Sequence, residues 1–118
     1  MLLALLSLTA AAGAAARTGG PPPPFPKLAG TWSHAEINVR MKREYHTLVL
    51  DNGRIVQISP TQMTLRERDG SLVVIGLNDQ TLVTIYGRPG FVSDLQRRMT
   101  VQAMRIDDGP AVRVRATS

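Results

Sequence analysis

Catalysis needs a reactive side chain and a neighbour that tunes it, and few residues of this chain qualify. Two histidines, His34 and His46, are the only bases of the kind that activates a nucleophile, and there is no cysteine. A hydrolytic serine needs an oriented base beside it, and neither histidine lies in a Gly-x-Ser-x-Gly elbow or a comparable setting. His34, Glu36 and His46 offer imidazole and carboxylate ligands. A metal centre wants three or four converging groups, and no spacing enforces convergence here, so no metal is expected. Asp107-Asp108-Gly109 lacks the further oxygen ligands of a calcium loop. A hairpin turn with Gly109 in the left-handed region accounts for those three residues. Glycine-rich phosphate loops are absent as well. No catalytic residue and no cofactor are expected.

What remains is basic charge. The formal net charge is +5, and residues 31–118 carry 12 Lys and Arg against 9 Asp and Glu, a surplus of three. Arg40 with Lys42, Arg66 with Arg68, and Arg113 with Arg115 are spaced by two, which puts each pair on one face of a strand. These six form the candidate basic surface. Proteins that bind single-stranded nucleic acid add aromatic stacking platforms to such charge. Here Trp32, Tyr45, Tyr86 and Phe91 do not alternate with the pairs. Glu36 and Glu44 are placed to balance Arg40 and Lys42, and Glu67 to balance Arg66 and Arg68. Weak binding to polyanions, without preference for nucleic acid, is the expectation.

The elements that position these residues begin after two special segments. Residues 1–16 hold no charged side chain, an apolar run from Leu2 to Leu8, and Ala14-Ala15-Ala16. That is the layout of a secretory signal peptide, cleaved after Ala16, although no Lys or Arg precedes the apolar run. Residues 17–30 carry Gly19, Gly20 and five prolines, a composition that favours an extended polyproline spacer. With no cysteine near Ala16, the usual lipid anchor is missing. The mature chain is expected without a membrane span, in a secreted, periplasmic or cell-envelope location.

Residues 31–118 read as one small all-β domain. Ala35, Ile37, Val39 and Met41 alternate with polar residues, which predicts a strand in spite of the capping-box spelling of Ser33-His34-Ala35-Glu36. Further strands are predicted over 47–50, 54–59, 63–68, 72–77, 81–86, 99–106 and 111–116. Asn52-Gly53 and Asp69-Gly70 suit hairpin turns with positive φ, and Pro89-Gly90 suits a type II turn. Leu72-Val73-Val74-Ile75 is apolar on both faces and is expected to be central. In 91–98 a helical turn capped by Ser93 is expected to plug one end. Six to eight short strands in so small a domain predict an antiparallel barrel of OB-like size, because closure removes exposed edges.

Over 54–116 the chain resembles a family of small exported bacterial all-β domains of unknown function. The likeness is carried by Gly53-Arg54-Ile55-Val56, Leu65, Asp69-Gly70, Thr81-x-Val83, Ser93-Asp94-Leu95 and Val101. Gln96-Arg97-Arg98 stands where that family has a Gly-Asp-type turn. The resemblance implies a compact β-barrel and lends no catalytic residue. The functional expectation is an exported, non-enzymatic module that binds a protein or another envelope component. The alternative is a basic binder of anionic polymers, either nucleic acid or an envelope polyanion.

Overall fold

The computed structural model describes residues 20–117; the expected signal peptide, residues 1–16, lies outside them. Eight strands form one sheet: β1 (His34–Met41), β2 (Glu44–Ile58), β3 (Gln62–Glu67), β4 (Leu72–Gly76), β5 (Leu82–Ile85), β6 (Arg88–Gly90), β7 (Thr100–Ile106) and β8 (Ala111–Ala116). Their order is β4-β3-β2-β7-β8-β5-β6, with β1 added beside the first half of β2. The all-β reading holds and the closed barrel does not. β4 and β6 remain edges, and β6 is three residues long with Pro89 at its centre, which has no N–H for a ladder. Nor is the sheet wholly antiparallel, because β5 runs parallel to β8.

Several turns fall elsewhere than the glycines suggest. Asn52-Gly53 is no hairpin, since β2 runs straight through it and pairs Gly53 with both Glu67 and Val101. Glycine is required there for room. A Cβ on Gly53 would lie 2.9 Å from the Cα of Glu67 and closer still to the Arg66 carbonyl oxygen. The hairpin that sequence missed joins β1 to β2 through Lys42 and Arg43, at φ 49° and 74°. In the same way Tyr86-Gly87 turns the chain, so Pro89-Gly90 is strand, not turn. At the β7–β8 turn Asp107, not Gly109, takes the left-handed conformation, with φ 55°.

β2 and β7 lie in register with Leu50 opposite Met104 and Asp51 opposite Ala103, and adjacent residues point to opposite faces. The sheet therefore buries apolar groups on both sides. One core gathers Ile55, Met63, Leu65, Ile75, Val101 and Val114. The other, around Leu48, Leu50 and Met104, is covered by Phe25, Leu28 and Trp32. The proline-rich segment thus lies against the domain. β4 is an edge, contrary to expectation: the alternation turns Val73 and Ile75 inward and leaves Leu72 and Val74 largely exposed. The helical turn is a 3-10 turn, Val92–Asp94, held by the Asp94 carboxylate on the Phe91 N–H at 2.8 Å rather than by Ser93. Leu95 after it enters the first core. After Gln96-Arg97, Arg98 takes φ 79° and donates its N–H to the Ile55 carbonyl at 2.8 Å.

Candidate functional site

The six candidate basic residues do not form one surface. Arg40 is exposed on β1, and Lys42 sits in the turn after it instead of sharing its face. Arg113 and Arg115 are turned onto the proline segment. The Arg113 guanidinium donates to the carbonyls of Pro22 and Pro23, both at 2.7 Å. Arg115 lies 4.6 Å from the Phe25 ring centroid and bonds Gln102. That pair fastens the segment to β8.

Arg66 and Arg68 remain exposed, and the register adds a third member that sequence reading passed over. Arg54 of β2 stands directly opposite Arg66 of β3. Gly53, Arg54, Arg66, Arg68 and Thr100 line a shallow cavity of about 230 Å³. Among the described residues, no carboxylate lies within ion-pair distance of these three guanidiniums. The expected balance by Glu67 fails for a geometric reason. Along β3 Glu67 faces opposite to Arg66, which turns it inward with Met63 and Leu65, and Arg68 lies in the turn beyond the strand instead of sharing the face of Arg66 within it.

There Glu67 meets a cluster that the sequence did not announce. Asp51, fully buried, bonds His34 Nδ1 through Oδ1 at 2.7 Å and accepts from Arg105 Nη2 through Oδ2 at 3.0 Å. Glu67 Oε2 lies 3.9 Å from the same His34 Nδ1, is buried, and has no hydrogen-bond donor. His34 Nε2 bonds Glu36 at 3.0 Å. Burial pushes the Glu67 carboxyl up to about 7, and the neighbouring Asp51 carboxylate adds to the effect. Burial also acts to raise Asp51, but the neighbouring Glu67 carboxyl, which keeps its proton in preference, and the bonds from His34 and Arg105 outweigh that and hold Asp51 below the usual carboxylate range. Bonds to Asp51 and Glu36 raise His34 against the opposing effect of burial. Four elements meet here: β1, β2, β3 and β7.

His46 is tied elsewhere. Its Nδ1 bonds Asp107 Oδ2 at 2.6 Å, and Asp107 Oδ1 accepts the Thr47 N–H at 2.9 Å. This bracket joins the β7–β8 turn to β2. Among the described residues, the cleft beside His46, walled by Met41, Glu44, Ile106 and Val112 and by prolines 21–23, has no hydroxyl side chain in its lining. At the open end of the sheet a larger cleft of about 560 Å³ is lined by Ile58, Pro60, Thr81, Phe91, Val92 and Leu95. The Phe91 ring beside it is 75% exposed.

No protein-family model, no curated protein and no solved structure matches this chain. Its own residues carry the functional argument. Of those that matter, Glu67 could have been found in the sequence by parity with Met63 and Leu65. Asp51 was hidden because Asn52-Gly53 imitates a turn, and Arg105 because nothing local marks its partner.

Proposed function

We propose that this chain is an exported, non-enzymatic binding module that takes an anionic polymer of the cell envelope on Arg54, Arg66 and Arg68. The observation that supports this reading is the direct opposition of Arg54 and Arg66 without a carboxylate partner. Like charges facing each other across a ladder destabilise the free sheet, and an anion bridging the guanidiniums relieves that repulsion. Three arginines give modest affinity with no reading of bases, so selectivity for nucleic acid is not expected.

Titration of the protein with a sulfated polysaccharide and with single-stranded DNA at two salt concentrations tests the proposal. Similar binding of both is expected, with a salt slope of about −2 to −3 for three contacts. Arg54→Ala with Arg66→Ala should remove it, and Arg113→Ala with Arg115→Ala should leave it. The reverse pattern, or strong selectivity for DNA, overturns the assignment. A second reading rests on the open-end cleft, whose exposed Phe91 suits an apolar group of a partner. Phe91→Ser weakening partner capture without changing polyanion binding would favour it.

A further inference from the structure

We propose that His34, Asp51 and Glu67 form a binding site for one divalent transition-metal ion, of the zinc class, at the junction of β1, β2 and β3. The three donor atoms lie within 4.8 Å of one another. They also converge on one point, because both carboxylates approach the same ring nitrogen: Asp51 Oδ1 is 2.7 Å and Glu67 Oε2 3.9 Å from His34 Nδ1. An ion with bonds of about 2.0–2.2 Å needs ligand atoms only slightly rearranged from these positions.

The independent pointer is Glu67. Its side chain is 7% exposed, and its Oε2 is buried without a donor. A buried carboxylate oxygen left unpaired is costly, and a cation between Glu67 and Asp51 supplies the missing partner.

The surroundings match an outer ligand shell. His34 Nε2 faces Glu36 at 3.0 Å, a partner that holds the Nε2–H when the ion displaces the Nδ1 proton now bonded to Asp51. Arg105 holds the other Asp51 oxygen at 3.0 Å, which leaves Oδ1 as a single ligand atom. An imidazole with two carboxylates selects a transition ion over calcium or magnesium. Because His34 is 39% exposed, the ion retains at least one position for water. His46 makes no comparable site, since Glu44 and Asp107 approach opposite nitrogens of its ring.

Untagged full-length protein, stripped with a chelator and titrated with zinc chloride at pH 7.5 by calorimetry, tests the proposal. One ion per chain is expected, together with a rise in melting temperature. Cobalt at the same site should give visible absorption bands of an imidazole-ligated ion. Glu67→Gln should weaken binding at least about 100-fold and abolish the thermal shift, with far-ultraviolet circular dichroism confirming its fold. The exposed Glu36→Gln, which leaves the core intact, should weaken binding about 10-fold. His46→Ala should bind as the parent does. Absence of binding by the parent chain, parental affinity in Glu67→Gln, or loss of the ion in His46→Ala each overturns the assignment.

Discussion

Arg66, Glu67 and Arg68 are consecutive, yet they belong to two regions with opposite electrostatics. The arginines stand on an exposed face beside Arg54, all of one sign and unpaired. Glu67 stands behind them, buried with Asp51 and flanked by the more accessible His34 and Arg105, a group of mixed sign. The exposed region is screened by water and counterions, so its repulsion is small and its charge is available to a partner. Asp51 and Glu67 are desolvated, so the charge that each carries depends on its neighbours. One residue of strand parity separates an exposed arginine face from a buried pair of carboxyl groups.

The contrast breaks most sharply at Asp51. Asp51→Ala leaves the half-buried Arg105 and His34 without their shared carboxylate and should cost about 3 kcal/mol, measured by urea unfolding. A loss under 1 kcal/mol would mean that the buried region behaves like the exposed one.

Titration separates the two regions next. With chelator present, Glu67 loses its proton at its ordinary value when unfolded and at about 7 when folded. Between those values the folded state binds more protons, so stability falls as pH rises through that window. His34 acts in the same direction. Its raised value contributes stability below its ordinary 6.5 that is lost as pH climbs through the folded value. Glu67 alone should lower stability by a few kcal/mol, as an order of magnitude, between about pH 4.5 and 7, and His34 extends the fall above 6.5. Asp51 acts oppositely, but only at lower pH, because its value lies below the usual range. Glu67→Gln should flatten most of the fall, and thermal melts across pH check this. An equally steep fall in Glu67→Gln would place the titrating group elsewhere.

Gly53 is where β2 passes from the buried cluster to the arginine face. Asparagine tolerates left-handed turns, so a hairpin at that position would accept Gly53→Asn. In the strand described here, any Cβ meets the backbone of Arg66 and Glu67. The substitution should therefore destabilise by about 1–3 kcal/mol, read from the urea midpoint. Parental stability would restore the turn.

The smallest effect belongs to the exposed region. Arg54→Thr removes the repulsion opposite Arg66 and should stabilise by about 0.2–1 kcal/mol. Added salt should narrow the gap between variant and parent, because screening does in the parent what the substitution does in the variant. Destabilisation by Arg54→Thr would show the guanidinium to be structural.

Much of this architecture was already present in one dimension. Alternation at 35, 37, 39 and 41 determines β1, and the β-branched runs determine most of the other strands, because a period of two suits only a pleated backbone with one face buried. The same parity determined that Glu67 leaves the face of Arg66. Other features needed the assembled sheet. Asn52-Gly53 has the composition of a turn, and only the approach of β3 to β2 shows glycine serving close packing instead. Leu72-Val73-Val74-Ile75 has the composition of a central strand, but strand order places it at an edge. Arg54 and Arg66 face each other, and His34, Asp51, Glu67 and Arg105 meet, across sequence separations that no local pattern encodes. Local periodicity reports which face a residue occupies. Which residues share that face, and whether water reaches them, depends on long-range pairing, and that is settled only when the strands come together.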